Sequence, residues 1–569
     1  MALTGVAEAD WTTDVLVVGS GAGALTAALV AAELGVEPLV IEKSHLWGGT
    51  SATSGGTLWI PCSRHMHEAG FEDSPEEAFT YIKALTGDEV PDSRIRAYID
   101  NAGKMLDFLE AHGGPVFQCV NYADYHMGLA GAKQNRSHET RPISAGQLGG
   151  DYDALQPIHP GAQAFGRVNW TISEARPIMT RGPGWWWSIL KVMARYWLDV
   201  PQRMRTPKDR RLTAGNALLG QLRRALNGKG VPVKLGVAFK ELIVEAGRVV
   251  GAVVEEAGER RTIRARRGVV LGAGGFEHNA DLRRDGFQTP TSANWSGSQR
   301  NNTGDAIQAA QRAGAALDLM DAAWWAPAFR LGDEDRARLM FAERALPGCV
   351  IVNQHGQRYM NESASYHAAG GEMMRLNSPE CPTAPSWFIF DAWYRSRYAV
   401  GPMLPGSPSR DGAVKPSLWE ALRKGETLAE LADAIEVDAD VLAATLARFN
   451  EHAARGEDPD FQRGVNGYDR YYGDPRHAPN PCLRPLEQAP FYALKIFPGD
   501  IGTKGGVVTD EHGRALDGAG EPITGLYAIG NTSASVMGRA YPGAGATLGP
   551  AMTFGYLAAH HLAQMDAAR

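Results

Sequence analysis

Short apolar runs that lead into glycines recur along the chain, and they predict the edge of a parallel sheet. Residues 14–18 form such a run, followed by Gly-Ser-Gly-Ala-Gly-Ala at 19–24 and by a helical apolar pattern at 25–34. A second run, at 38–41, ends in Glu42. A strand, a glycine turn, a helix and a second strand that ends in an acid form the βαβ unit that binds a dinucleotide.

Three more glycine clusters extend this pattern. Residues 48–56 show neither a strand nor a helix pattern, and they predict a loop that wraps a pyrophosphate and a flavin ring with its amides and hydroxyls. Apolar runs precede glycines again at 268–275 and 526–530. Together these junctions suit one long dinucleotide, FAD, across one doubly wound domain. We predict FAD contacts at Gly19, Ser20, Gly21, Ala22, Gly23, Glu42, Lys43, Gly49, Thr50, Ser51, Gly55, Gly56, Ala273, Gly274, Gly530, Asn531 and Leu548.

The remaining pattern predicts an insertion into the cofactor domain. Helical spacing at 74–112 and strand patterns at 233–270 give way after residue 297 to a different series of strands and helices. Strand-like segments near the end, from about residue 491, predict re-entry into the cofactor domain. We predict an α/β fold, in which a discontinuous, doubly wound, Rossmann-like FAD-binding domain (1–296 and 488–569) holds an inserted α+β catalytic domain (297–487). Only one full dinucleotide fingerprint is present, so we expect no NAD(P)H domain and an external electron acceptor.

Composition limits the function classes. The chain has 569 residues and a net charge of −7, which gives no general argument for nucleic-acid binding. Five cysteines without C-x-x-C spacing indicate ordinary thiols in a reducing compartment rather than a metal site or a disulfide framework. The first ten residues have no basic region, and no apolar segment is long enough to span a membrane. We expect a cytoplasmic protein without a signal peptide or a metal.

One segment has the composition of a membrane surface helix. Residues 184–211 combine several tryptophans with aliphatic residues and cations. Interfacial tryptophans beside basic residues are typical of helices that lie in a lipid headgroup layer. A core-packing helix followed by a solvated loop has the same composition, so both interpretations stay open.

The stretch at 539–555 predicts a site that polarises a carbonyl oxygen. Gly543, Gly545 and Gly549 lie in a turn that opens a helix of small residues, and Tyr541 stands at the start of that turn. Glycine lets main-chain N–H groups come close to a flat ligand, and a helix start favours a developing anion. A phenol and an amide that converge at this point can hold a carbonyl oxygen.

Four motifs together identify a family. They are Tyr-Pro-Gly-Ala-Gly at 541–545, Gly-Gln-Arg-Tyr-Met-Asn-Glu-Ser-Ala-Ser-Tyr at 356–366, Tyr-Ala-Asp-Tyr at 122–125 and Tyr-Asp-Arg-Tyr-Tyr-Gly-Asp at 468–474. With them the chain resembles the 3-ketosteroid Δ1-dehydrogenases, within the wider fumarate reductase and succinate dehydrogenase flavoprotein group. The resemblance covers nearly the whole chain, and it implies noncovalently bound FAD.

The resemblance further implies desaturation between carbons 1 and 2 of a 3-oxosteroid. Tyr366 occupies the position of the base that removes the carbon-2 proton, while flavin N5 takes the carbon-1 hydride. Tyr541 and the Gly545 amide hold the 3-keto oxygen. Tyr125 supports the base through its hydroxyl, and Tyr122 is a substrate contact. Because a free tyrosine has a pKa of about 10, we expect the pKa of the base to be lowered.

Two alternatives remain open. A dehydrogenase that acts at carbons 4 and 5 of the same ring needs the same base, keto clamp and flavin. A flavin electron-transfer protein without an organic substrate needs none of the tyrosines. The Tyr-Pro-Gly turn favours desaturation between carbons 1 and 2 over both alternatives, although Ala544 and Ser365 stand where the family commonly has proline. We interpret His126 and His367, which neighbour the tyrosines, as incidental.

Overall fold

Two β-sheets organise the chain. The computed structural model describes residues 9–565, so the expectation drawn from the first ten residues lies almost wholly outside that range. The first sheet has eight strands, five of which run parallel at its centre. In order, its strands are Arg514–Leu516, Pro522–Ala528, Glu259–Leu271, Trp11–Val18, Pro38–Glu42 and Val233–Leu235, and the antiparallel strands Arg248–Glu256 and Val237–Glu245 extend from Glu259–Leu271.

The parallel register brings the predicted glycine clusters to one edge. Val18 lies opposite Leu271 on one side and Ile41 on the other, and Leu271 lies opposite Ala528. The residues that follow these strand ends therefore meet outside the carboxyl edge of the sheet, where open α/β sheets bind ligands.

Both faces of this sheet are covered, as a doubly wound fold requires. Val15 and Val17 pack in a core with the helices Ala22–Glu33, Asp92–Ala111, Ala214–Gly228 and Leu548–Gln564. Leu16 and Val18 point to the other face, because side chains alternate along a strand, and pack with the antiparallel strands and with helix Asp305–Arg312. The predicted fold class is confirmed.

Two glycines allow the dinucleotide helix and the last helix to touch. A Cβ on Gly23 would lie 2.6 Å from the carbonyl oxygen of Ala551, and one on Gly555 would lie 2.5 Å from that of Gly23. Such contacts are possible only without side chains. Helix Leu548–Gln564, which begins beside the Tyr541 turn, is thereby held against the cofactor-binding unit.

The second sheet is antiparallel and builds the insert. Its six strands are Arg338–Leu339, Ala323–Phe329, Phe491–Thr503, Ser386–Asp391 and Cys349–Val352 in order, with Leu422–Gly425 also paired to Phe491–Thr503. Its helices are Tyr366–Arg375, Ala392–Arg397, Pro416–Trp419, Leu428–Ala434, Ala439–Ala453 and Gly467–Tyr471. Aromatic residues such as Phe388, Phe390 and Tyr492 fill its core.

Two elements lie across the predicted domain boundaries. Helix Asp305–Arg312 packs Ala306 and Ala310 into the core of the first sheet. Strand Phe491–Thr503 pairs with three strands of the second sheet, so the predicted re-entry near residue 491 is wrong for this strand. Its apolar residues complete the ladder of the insert, and the chain rejoins the first sheet only at Arg514–Leu516. The division into 1–296, 297–487 and 488–569 itself stays a prediction.

Residues 48–56 differ from the predicted loop, since they contain the short helix Gly49–Thr53. Gly48 enters it with a φ of 106°, in the left-handed region that glycine adopts without strain. Small polar residues carry no apolar periodicity, so the sequence holds no signal for this helix. The remaining helices of the first part are Arg64–Glu68, Pro75–Thr86 and Ala280–Gly286, and the second of these begins after Ser74, as predicted.

Residues 145–212 contain the helices Ile172–Met179, Trp185–Leu198 and Val200–Arg203. A short ladder between Ile143–Ser144 and Arg211–Leu212 closes the segment at its base. Only Val192 and Tyr196 of the tryptophan-rich helix are buried, so the interpretation as a core helix is wrong for most of its length. Within residues 9–565, no helix combines the length and the apolar character needed to cross a membrane.

Candidate active site

A cavity of about 430 Å³ opens where the parallel strands of the first sheet end. It extends from the glycines after Val18 to tyrosines of the insert and of the last glycine turn. All the predicted FAD contacts line it: Gly19, Ser20, Gly21, Ala22, Gly23, Glu42, Lys43, Gly49, Thr50, Ser51, Gly55, Gly56, Ala273, Gly274, Gly530, Asn531 and Leu548. Their individual bonds to FAD stay predictions.

The cofactor end of this cavity fits the pyrophosphate of a dinucleotide. Helix Ala22–Glu33 begins there, and its N-cap residue, Gly21, has no side chain that could cap the first amides. Gly19 has a φ of 102°, and a Cβ there would lie 2.4 Å from the carbonyl oxygen of Gly272. The first and third glycine clusters therefore touch, and no side chain blocks the helix start.

Glu42 and Lys43 have different surroundings at this end. The Glu42 carboxylate accepts hydrogen bonds from the Ser20 hydroxyl at 2.7 Å and from the Ser44 amide at 2.9 Å. Burial raises the pKa of Glu42, and these hydrogen bonds act in the opposite direction. Its remaining lone pairs fit the predicted role at a ribose. Lys43 donates to Asp305 at 2.6 Å and thus links the cofactor end of the cavity to helix Asp305–Arg312.

The glycine turn of Tyr541 lies directly against the strand Leu58–Trp59. Gly545 has a φ of 99°, and a Cβ there would lie 2.5 Å from the Leu58 main chain. Gly543 and Gly549 likewise contact Trp59, with Cβ positions 2.6 and 2.7 Å from its atoms. The turn can therefore form only with glycines at these positions.

Three predicted catalytic tyrosines meet at the other end of the cavity. The Tyr366 hydroxyl donates to the Tyr541 hydroxyl at 3.0 Å. The Tyr125 ring meets both of these rings edge-on, with centroids 5.5 Å from Tyr366 and 5.1 Å from Tyr541. Within residues 9–565 the Tyr125 hydroxyl has no hydrogen-bond partner, so its donor is available to a phenolate or a ligand. Tyr366 belongs to the insert, and the other two tyrosines come from the first part and the last turn of the chain.

The pKa of Tyr366 differs from the expectation. Burial, followed by the neighbouring Tyr541, raises it well above its usual value, while Tyr125 acts to lower it. Burial also raises the pKa of Tyr541, and the neighbouring Tyr366, Thr547 and Gly545 act in the opposite direction. The sequence suggested a lowered pKa for the base, but an environment of other phenols favours the neutral form.

The loop of the Tyr-Ala-Asp-Tyr motif is anchored by its aspartate. Asp124 accepts from the Trp59 indole at 2.7 Å and from Arg136 at 2.9 Å. Burial raises its pKa to about 6, and Arg136 acts to lower it. The Tyr125 amide donates to the Pro542 carbonyl at 2.8 Å, which joins this loop to the Tyr541 turn. The sequence predicts roles for the tyrosines of this motif only, and the supporting role of Asp124 depends on contacts with the distant Trp59 and Arg136.

Tyr122 contacts phenols other than Tyr366 and Tyr541. Its own hydroxyl is 2.7 Å from that of Tyr472, and its ring lies 4.3 Å from that of Tyr471. Arg176 covers the outer face of the Tyr471 ring at 3.8 Å. Tyr122 and Tyr472 line the same cavity, so a substrate contact at Tyr122 stays a prediction that the geometry allows.

Comparisons with known proteins agree with this arrangement. A model described as FAD binding domain matches residues 14–548. The chain is 43% identical to a 3-oxosteroid 1-dehydrogenase of Mycobacterium tuberculosis, over 98% of this chain and 99% of that protein. The chain belongs to the 3-ketosteroid Δ1-dehydrogenase family. It is therefore an FAD-dependent oxidoreductase.

Two further proteins are similar to this chain over nearly their whole lengths. The crystal structure of the 3-ketosteroid Δ1-dehydrogenase of Sterolibacterium denitrificans, in complex with 1,4-androstadiene-3,17-dione, matches with a TM-score of 0.93 and 44% identity, over 97% of this chain and 99% of that chain. A 4-oxocyclohexanecarboxylate 2-dehydrogenase of Sinomonas cyclohexanicum is 39% identical, over 97% of this chain and 93% of that protein. The relatives thus include proteins named for a steroid and for a single-ring ketone.

We predict that Gly545→Ala disrupts the turn and with it the FAD site. The left-handed φ alone costs about 1–3 kcal/mol, and the contact with Leu58 adds to it. Gly520→Ala is the matched control, because Gly520 has a φ of 84° and no atom within 4 Å of its Cβ position. The midpoint temperature of thermal unfolding and the FAD content should both fall far more for Gly545→Ala than for Gly520→Ala. Equal stability and FAD content in the two variants would contradict this assignment.

Proposed function

We propose that the protein catalyses the FAD-dependent 1,2-desaturation of 3-oxosteroids. The observation that carries the proposal is the 3.0 Å contact between the hydroxyls of Tyr366 and Tyr541, beside Gly545, in the cavity of an FAD-binding fold. Removal of a proton next to a ketone needs a base at carbon and an electrophile at oxygen, within a few ångströms of each other. This pair meets both needs.

Each group has one role in the proposed reaction. The Tyr541 hydroxyl and the Gly545 N–H bind the 3-keto oxygen and stabilise the negative charge that develops there. Tyr366 removes the proton from carbon 2, and Tyr125 donates to the phenolate of Tyr366. Bound FAD supplies the acceptor for the hydride of carbon 1. Loss of this proton and this hydride leaves a double bond between carbons 1 and 2, and a separate electron acceptor reoxidises the cofactor.

The walls of the cavity support a fused-ring substrate. Beyond the tyrosines, the lining includes Leu339, Phe341, Ile172 and Met179, which are apolar. The Phe341 ring lies 4.9 Å from that of Tyr366, so this apolar wall starts at the reacting end. An extended apolar lining favours a steroid over a small ring with a carboxylate.

The proposed reaction is tested by anaerobic mixing of the holoenzyme with 4-androstene-3,17-dione. We expect bleaching of the flavin band and a 1,4-diene product, identified by mass and NMR. Bleaching only by a 5α-reduced 3-ketone, with a 4-ene product, would assign the protein to carbons 4 and 5. Bleaching only by 4-oxocyclohexanecarboxylate would replace the steroid by a single-ring ketone. If none of these ketones reduces the flavin, the function that remains is electron transfer without an organic substrate.

The direction of the Tyr366 pKa predicts a pH profile. Because burial raises this pKa, the phenolate is a minor form at neutral pH, and its fraction increases as the pH rises. The value of kcat/KM should therefore increase with pH through the alkaline range. Tyr366→Phe should lower it by about 100- to 10,000-fold and remove the increase. A Tyr366→Phe enzyme with the alkaline increase intact would exclude Tyr366 as the base.

We also propose a cytoplasmic enzyme that contacts a membrane through residues 184–211. Trp186, Trp197 and Leu198 are 59%, 57% and 77% exposed, and Met204 is 83% exposed. The segment holds seven Lys or Arg residues and two Asp residues, a charge that complements anionic lipids. Helix Ile172–Met179 packs beside the tryptophan helix and lines the cavity, so the contact surface adjoins the site of an apolar substrate.

Vesicle sedimentation tests this contact. Vesicles of phosphatidylcholine with phosphatidylglycerol should bind the holoenzyme, and salt should weaken the binding. Substitution of Trp186, Trp187 and Trp197 by serine should lower the partition coefficient at least about 10-fold. Leu404→Ser with Val465→Ser, which removes apolar residues that are 50% and 66% exposed elsewhere, serves as the control. Equal binding by the two sets of variants would contradict the proposal.

A further inference from the structure

The main chain immediately before Tyr541 is held by two buried side chains. Lys504 donates from Nζ to the carbonyl of Gly538 at 3.0 Å and to that of Ala540. The carbonyl between them, that of Arg539, is bonded to Nε2 of His367 at 2.9 Å. Three successive carbonyls that lead into the catalytic turn are thus each bound by a side chain from elsewhere in the chain.

Lys504 is an unusual lysine, because it is buried and has no ion pair within residues 9–565. Its ammonium group lies 3.7 Å from the centre of the Trp324 ring. Two carbonyls and an aromatic face stabilise a cation, whereas burial lowers the pKa of Lys504 well below its usual value. An ammonium group is costly to bury. A lysine that contributed only to solubility would lie at the surface. The burial of Lys504 therefore indicates a local role.

Trp324 extends this contact to the catalytic phenol itself. Its ring meets the Tyr541 ring edge-on, with centroids 4.8 Å apart. Its indole N–H donates to Asn531 at 3.2 Å, and Asn531 lines the cofactor cavity. Lys504 therefore supports Tyr541 from two sides, through the preceding carbonyls and through the indole.

His367 joins the same turn to the proposed base. It directly follows Tyr366 in helix Tyr366–Arg375, and its Nδ1 accepts from the Trp325 amide at 3.2 Å. Since Nδ1 is an acceptor, the proton of the neutral ring is on Nε2, which donates to Arg539. Burial lowers the pKa of His367 well below its usual value, and the charge of Lys504 acts in the same direction. The ring therefore stays a neutral donor.

We propose that Lys504 and His367 are positioning residues that set the distance between the hydroxyls of Tyr541 and Tyr366. Neither side chain is among the residues that line the cavity. His367 links the start of helix Tyr366–Arg375 to the Tyr541 turn through the Arg539 carbonyl. Lys504 holds the same turn through the carbonyls of Gly538 and Ala540. The 3.0 Å contact between the phenols is the result. The inference rests on the proposed function, since it assigns these residues to the ketone-binding and proton-removing groups of that reaction.

The first test is Lys504→Met, which keeps the length of the side chain and removes its donors. We expect flavin reduction by 4-androstene-3,17-dione to slow about 10- to 100-fold, because small displacements of a binding group have effects of this size. The vibrational frequency of the 3-keto C=O bond in bound 1,4-androstadiene-3,17-dione should also move toward its value in water. A loss of stability alone would not change this frequency.

Lys495→Met is the matched control. Lys495 lies in strand Phe491–Thr503, which ends one residue before Lys504. The Nζ of Lys495 lies 5.6 Å from the centre of the Trp387 ring, and Trp387 belongs to the second sheet. Its substitution should leave the reduction rate and the C=O frequency unchanged. A Lys504→Met enzyme that holds FAD and matches Lys495→Met in both measurements would overturn the proposal.

His367 supplies a second test that does not depend on the folding of Lys504→Met. His367→Gln places an amide donor near the position of Nε2 and should keep flavin reduction within about 3-fold of the original rate. His367→Leu should lose at least 10-fold in rate and show the shifted C=O frequency. Equal rates and frequencies for the two variants would overturn the role of the hydrogen bond to Arg539.

These outcomes are separate from those of the proposed function. If the unmodified enzyme forms no 1,4-diene, the proposed function fails before any variant is compared. If it forms the diene and the Lys504 and His367 variants keep both the rate and the C=O frequency, only the positioning role fails.

Discussion

The contact between the glycine turn of Tyr541 and the strand Leu58–Trp59 determines where every other part of the site can lie. Main chain meets main chain there, and the Cβ position of Gly545 falls 2.5 Å from Leu58. The last helix starts from this turn and is held against the dinucleotide helix by Gly23 and Gly555. The cofactor cavity and the proposed carbonyl-binding group are therefore parts of one packed unit, and the insert adds Tyr366, the proposed base.

The burial of the phenols explains how tyrosine can serve this chemistry. Hydrogen bonds to a developing oxyanion are stronger in a water-excluded site, so burial strengthens the stabilisation that the Tyr541 hydroxyl can give to a carbonyl oxygen. The same burial raises the pKa of Tyr366 and disfavours its phenolate. Burial thus favours carbonyl polarisation by Tyr541 and disfavours the phenolate of Tyr366. The Tyr125 hydroxyl, which has no hydrogen-bond partner within residues 9–565, is available to stabilise that phenolate.

Much of the cofactor half could be predicted from the sequence, because its signals are local. A strand, a glycine turn and a helix within 14–34 specify one βαβ unit. The contacts of Lys504 with Gly538 and of His367 with Arg539 join residues 34 and 172 positions apart, and no local pattern encodes them. The prediction that His367 is incidental is therefore at odds with its contacts, which only the fold brings together. The raised pKa of Tyr366 also depends on burial by distant residues, and strand Phe491–Thr503 has the same alternation whichever sheet it joins.

The proposed binding of the ketone is best tested by a crystal structure of the holoenzyme with 4-androstene-3,17-dione, in the Tyr366→Phe variant to prevent turnover. We predict that the 3-keto oxygen lies within hydrogen-bond distance of both the Tyr541 hydroxyl and the Gly545 N–H. We also predict that carbon 2 faces the ring edge of residue 366. A ketone bound away from Tyr541, or carbon 4 in place of carbon 2 beside residue 366, would contradict it.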